Sequence, residues 1–316
     1  LPRSLQDAIV VARTLGAPYI WIDALCIVQD DLADWADQAA QMWQIFENSD
    51  LTIAAVSARN VFEGFLERPW HQSVKVACER RAADGEGEEE DGQVSRGELA
   101  LQFPHNSSNS DSLVNSRWNE RAWIFQEQIL CSRILYFLDE LLAMDCLSSQ
   151  LRTEVPLDHK PRTQRNPWTP KILPKTGTSH VRTRGDDYLD WYALMTFYSG
   201  KQLSFPEDKL PAVSGLAHKM LQTHNDTYLA GLWKGDLCRG LMWWPMNNIR
   251  AAEYSTYVAP SWSWAAHNGG VTWASQGPTG FRQEMELLDV VVSPAGADPH
   301  GRLQSGYLDV VAKTLP

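Results

Sequence analysis

Four shortages narrow the field before any motif is considered. The 316 residues hold five cysteines, an odd number with no regular spacing and no CxxC pair, which argues against a disulfide framework and fits a reducing compartment. No zinc site is legible either. No apolar run approaches the roughly 20 residues of a membrane helix, and no charged-then-apolar signal segment opens the chain, so no membrane span is expected and cytoplasmic residence is. Glycine-rich phosphate loops are missing, which argues against a Rossmann or P-loop mode of NAD or ATP binding. Basic charge is scarce as well: 28 Lys and Arg stand against 39 Asp and Glu, a net charge of -11. Nucleic acid and anionic membrane surfaces are therefore not expected as main partners. Part of the acidic excess is one solvated run, Asp84 to Asp91 (DGEGEEED).

What is present is an apolar content of 44%, enough for one large core or two modest ones. Fourteen tryptophans stand out, several of them late, at Trp233, Trp243, Trp244, Trp262, Trp264 and Trp273. They read either as aromatic packing or as a stacking platform for a base or sugar.

Along the chain, Ser4 with Asp7 resembles a capping box, and Leu5, Ala8, Ile9 and Ala12 follow at helical spacing up to Gly16. Tyr19 to Leu25 is short, aromatic and β-branched, which reads as a buried strand. A helix from about Leu32 has Asp31 as its cap and Trp35, Ala39, Met42 and Phe46 on one face. Leu51 to Val56 reads as a second strand, closed by Ser57. Helix, strand, helix, strand predicts a parallel α/β unit with its ligand crevice at the carboxyl ends of the strands, where Asp23 and Ser57 would sit. Residues 59–116 read as an insertion with a mobile loop. Trp118 to Leu130 matches one helical face, and two strands are expected over Arg133–Leu138 and Leu141–Cys146. Residues 1–147 thus form one domain and 148–187 a polar linker. Residues 188–316 form a mixed α+β, Trp-rich region that packs on the first domain, with β structure from Glu284 to Val311.

Several residues carry chemistry. Asp23 at a strand end suits orienting a ribose hydroxyl, or serves as a helix cap. Cys26 is a nucleophile candidate with His71 or His105 as its base, or a buried structural thiol. Gln29, Asp30 and Asp31 suit a cation or substrate hydroxyls, or capping. In the second informative stretch, Arg121 to Glu127 (RAWIFQE), a carboxylate sits among aromatics.

The blocks WIDALCIVQDD, DWADQAAQMWQIFENSDLTIAAVSA and RAWIFQEQILCSRILYF closely resemble the fungal heterokaryon incompatibility (HET) domain. YSGKQLSFPEDKLPAVSGLA, YLAGLW and APSWSWA look like the region that commonly follows it. The family's opening strand, of the type Tyr-x-Ala-Leu-Ser-Tyr-x-Trp-Gly, is expected upstream of Leu1. The resemblance implies a role in non-self recognition and programmed cell death, with self-association or other signalling proteins as partners. It also implies distant kinship to TIR domains, hence a TIR- or flavodoxin-like parallel-sheet core. Some TIR domains cleave NAD with a glutamate on a helix that carries a Ser-x-Trp-Cys-x-x-Glu type pattern. By that analogy Glu127 is the catalytic candidate with Asp23 as its partner, and NAD is a substrate rather than a cofactor. Trp123, Gln126, Arg121, Cys26, Gln29, Asp30 and Ser57 are then the candidate substrate-binding residues. The competing assignments are an ion pair of Glu127 with Arg117, Arg121 or Arg133, a packing role for Trp123, and a non-enzymatic signalling module.

Overall fold

The computed structural model describes residues 1–67, 74–80, 95–101, 113–139, 142–146, 150–153, 184–246, 254–273 and 284–313. The acidic run at 84–91, His71, His105 and residues 154–183 of the expected linker lie outside the described residues.

Asp7 sets how the chain begins. Helix α1 (Arg3–Thr14) starts at Pro2 without a side-chain cap, so the expected capping box does not form. Ser4 instead donates its hydroxyl to the carbonyls of Glu63 and Asn60. The Asp7 carboxylate is buried, accepts the backbone N–H groups of Phe65 (2.8 Å) and Leu66 (3.2 Å), and pairs with Arg3 Nε at 3.3 Å. A buried carboxylate needs such donors, and they hold Phe65 against Phe137, ring centroids 4.7 Å apart.

Tyr19–Leu25 is not a strand. Tyr19 is 90% exposed, and Asp23–Cys26 form a single turn of helix, α2. The cause is local. Trp21 turns edge-on to Phe46 at 5.9 Å, the Asp23 carboxylate takes the N–H of Ala24, and the carbonyls of Ile22 and Asp23 take those of Cys26 and Ile27. Backbone groups satisfied within the turn have no need of a ladder partner. Helix α3 (Leu32–Asn48) begins as expected, with Asp31 Oδ1 accepting from Ala33 and Asp34.

The N-terminal sheet is mixed. Strand β1 (Thr52–Ala54) and a hairpin formed by β2 (Val74–Arg80) and β3 (Ser95–Leu101) precede helices α4 (Arg117–Glu120) and α5 (Ala122–Leu130). Strands β4 (Arg133–Phe137), β5 (Leu142–Cys146) and β6 (Gln150–Thr153) follow, in sheet order β1-β4-β5-β6. Only β1 and β4 run parallel; β4 to β5 and β5 to β6 are antiparallel. The described residues form a mixed α/β fold with small mixed sheets. Strand β6 also extends the sheet into what the sequence marks as linker.

The expected single helix over 118–130 is broken at Arg121, whose extended backbone (φ -72, ψ 133) bridges to Gln202. Ala122 donates to the Gln202 carbonyl and Gln202 to that of Glu120, at 2.9 and 2.7 Å. A non-local pair of backbone bonds replaces helical continuity.

The C-terminal region is built on α6 (Arg184–Ser199) and α7 (Pro211–Thr223), the latter entered through a 3-10 turn at Pro206–Asp208. Trp191, Trp233 and Trp264 are fully buried there, which gives these tryptophans the packing role. The two-strand ribbon β7 (Tyr228–Leu229) and β8 (Leu232–Trp233) turns through Ala230 and Gly231, both at positive φ. The Gly231 carbonyl accepts the indole N–H of Trp191 (2.9 Å) and of Trp264 (3.0 Å). Helix α8 (Leu237–Gly240), ribbon β9 (Trp243–Pro245) with β10 (Val271–Trp273), and hairpin β11 (Met285–Pro294) with β12 (Leu303–Ala312) complete the region.

Both regions share one core. Ala122 and Phe125 of α5 belong to the same buried cluster as Trp191, Met195, Val213 and Trp264. Gln126, 1% exposed, accepts the N–H of Gly215 on α7 at 3.1 Å. A Cβ on Gly215 would stand 2.3 Å from Trp43 Cβ and 2.9 Å from Gln126 Oε1. Gly215→Ala is therefore expected to destabilise by at least about 2 kcal/mol, seen as a lower urea midpoint. Gly296→Ala, which meets nothing within 4 Å, should leave that midpoint in place.

Candidate functional site

Helix α5 carries the centre of the site. Its buried residues Ala122, Phe125 and Gln126 face the shared core, and it lies against α3 and α7. Glu127 follows them, half-buried as a residue but with an enclosed carboxyl. Burial pushes that carboxyl up from its ordinary 4.5, the Arg121 guanidinium pulls it partly back and the Asp23 carboxylate pushes it up again, which leaves it at about 7. Loss of hydration is the largest of the three causes, because the protein interior solvates a carboxylate less well than water does.

That electrostatic contact brings Glu127, Arg121 and Asp23 together. Arg121 is exposed at the break between α4 and α5, so the extended backbone there sets where its guanidinium stands relative to α5. Asp23 is exposed as the first residue of α2; Ile22, not Asp23, occupies the cap position. The Gln29 side chain donates to the carbonyls of Asp23 (3.2 Å) and Ile27 (3.0 Å), which ties the turn closed beneath Asp23. Asp30 and Cys26 are exposed nearby in the chain, so Cys26 is not the buried structural thiol of the alternative reading. Both of its expected imidazole partners, His71 and His105, lie outside the described residues.

Other candidates have structural engagements. Trp123 meets Trp35 edge-on at 6.3 Å and lies beside the Asp208 carboxylate, which accepts from Arg302 at 2.5 Å. Gln126 gives its oxygen to Gly215. Ser57 donates its N–H to the Phe137 carbonyl just past β1, and its hydroxyl is buried with no hydrogen-bond partner among the described residues. Nothing in the sequence marks Lys201. Its ammonium donates to the backbone and side-chain oxygens of Asn119 and lies 5.7 Å from the Phe125 ring centre; burial lowers it to about 8. Its Gly-Lys-Gln context offers no signal of that.

A glutamic acid that titrates near neutrality beside a second carboxylate and a guanidinium can hold or release a proton at the pH of the cell. It also has a stability signature. A folded-state pKa above the ordinary value means that the folded chain binds the proton more tightly. The contribution is fully present below about 4.5 and is lost as pH rises through about 7. Glu127→Gln should therefore raise the melting temperature of the protein at pH 8 much more than at pH 5. The full difference is on the order of 3 kcal/mol, readable by calorimetry.

Residues 1–127 match the family model described as heterokaryon incompatibility protein (HET). No curated protein and no solved structure matches the chain.

Proposed function

We propose that this chain, a heterokaryon-incompatibility-type protein by its HET domain at residues 1–127, hydrolyses the nicotinamide N-glycosidic bond of NAD in a non-self recognition and cell-death response. The observation that supports the reading is the enclosed Glu127 carboxyl, raised to about 7 by burial against the pull of Arg121 and with the push of Asp23. The five cysteines, odd in number and without regular spacing, suit action in a reducing cytoplasm.

In this reaction the C1′–N bond breaks and nicotinamide departs neutral with the bonding pair. The ribose is left with oxocarbenium character, which a nearby carboxylate stabilises. Water adds at C1′ as Glu127 takes its proton, which later passes to solvent. Asp23 orients a ribose hydroxyl. The TIR-like resemblance of RAWIFQE supports the same assignment of Glu127.

The test is nicotinamide release by the purified chain. Glu127→Gln and Glu127→Ala, both checked for folding, should lose at least about 100-fold in rate. Because the base is the ionised carboxylate, the wild-type rate should rise with pH through about 7. Asp23→Asn removes a charge that raises Glu127, so its rate limb moves to lower pH; Arg121→Gln moves it higher. No release from wild type, or release untouched by Glu127→Gln, would end the hydrolase reading.

One observation favours a non-enzymatic signalling module instead. Tyr19, Leu25, Val28 and Leu32 are 90, 48, 53 and 85% exposed within one short stretch, an apolar surface suited to self-association. On that reading light scattering shows a concentration-dependent mass increase that Tyr19→Ser with Leu32→Ser abolishes.

A further inference from the structure

The turn between β11 and β12 brings two side chains to a third on α7. His218 lies on α7; Asp298 and His300 lie in the turn, 80 residues and more away in sequence. Their ligand-type atoms converge on one point. His218 Nε2 stands 3.2 Å from Asp298 Oδ1 and 3.2 Å from His300 Nδ1, and the last two are 4.0 Å apart. Three atoms so spaced lie on a circle of radius about 2.0–2.1 Å, which is the Zn–N and Zn–O bond length.

Hydrogen bonding accounts for this arrangement poorly. His218 Nε2 carries at most one proton, and a single N–H cannot point at Asp298 Oδ1 and His300 Nδ1 together. A cation at the centre of the three satisfies them all. The surroundings hold each group in place. His218 stacks on Trp43 of α3, with centroids 5.3 Å apart and planes 12° apart. His300 meets Tyr228 edge-on at 5.3 Å, and its backbone N–H donates to Asp298 Oδ1 at 2.9 Å. The Ser214 hydroxyl, which donates to the Pro211 carbonyl at 3.0 Å, lies beside Asp298. Outer contacts of this kind are what fix ligand orientation in metal sites. Side-chain exposures of 25, 13 and 15% for His218, Asp298 and His300 leave water access for a further ligand.

We propose that His218, Asp298 and His300 bind one divalent transition metal ion of the zinc type, completed by water, that clamps the β11–β12 hairpin to α7. Two imidazoles and one carboxylate suit Zn²⁺ or Co²⁺ over the all-oxygen preference of Mg²⁺ or Ca²⁺. Trp43 links the clamp to the HET-domain side, through α3.

The experiment uses the full chain stripped with chelator and titrated with Zn²⁺ in a calorimeter and with Co²⁺ in a spectrometer. Wild type should take one equivalent, show the visible bands of Co²⁺ at low coordination number, and melt at a higher temperature with Zn²⁺ than without. In His218→Ala and His300→Ala, Zn²⁺ affinity should fall at least about tenfold, with the Co²⁺ bands gone and Zn²⁺ no longer raising the melting temperature. His224→Ala, outside the cluster, should behave as wild type. Absence of Co²⁺ bands and of a Zn²⁺ effect in wild type would overturn the proposal, as would bands that persist in folded His300→Ala. Should both alanine variants fail to fold, carbethoxylation of wild type decides. Zn²⁺ should shield His218 and His300 from modification, read by peptide mass, and equal modification with and without Zn²⁺ would overturn it.

Discussion

Gly215 lets two helices approach where any side chain would collide. Gln126 of α5 and Trp43 of α3 both press on that position, and the Gly215 N–H is answered by the Gln126 amide oxygen. Around this crossing α5 turns Ala122 and Phe125 into a core whose other members come from α6, α7 and the C-terminal ribbons. The residues that match the heterokaryon incompatibility model and the Trp-rich region are thus two contributors to one interior. Asp208 reinforces the junction, engaging Trp123 from one side and Arg302 from the other, while Arg302 lies over Trp35 at 4.6 Å.

The same packing accounts for the electrostatics of Glu127. A helix held on α3 and α7 carries its carboxyl where water is thin, and desolvation outweighs the Arg121 guanidinium. Had α5 simply continued from α4, Arg121 would be one more helical residue. The bridge to Gln202 instead sets it in extended backbone at the head of α5. Position and proton affinity at the site therefore both derive from contacts made far along the chain.

This explains what was legible in the sequence. Elements determined locally read well: α3 with its Asp31 cap, the β4–β5 pair and the terminal β structure all lie where periodicity and turn chemistry place them. Elements determined by distant partners did not. The break at Arg121 needs Gln202, and the burial of Asp7 needs the N–H groups of Phe65 and Leu66. The run Tyr19–Leu25 has a strand's composition, yet Trp21 and Asp23 bend it into a turn. Within the candidate site, Glu127 and Asp23 were recognisable as carboxylates beside apolar runs. The deep seating of Gln126 was not, because its partner Gly215 is 89 residues away. His218, Asp298 and His300 follow no compact ligand motif for the same reason.

A core shared across such distances has a consequence for biosynthesis. Residues emerge from the ribosome in order, and by the time Leu130 appears α5 has displayed Ala122, Phe125 and Gln126 with only α3 of its two helical neighbours made. Their partners on α6 and α7 arrive only after dozens of further residues, and Trp233 and Trp264 later still. During that interval the nascent chain presents a greasy helix face of the sort that chaperones hold. A protein cut short before α7 would keep that face for good, so proteolysis or premature termination in the middle of the chain yields a sticky fragment rather than a smaller working domain.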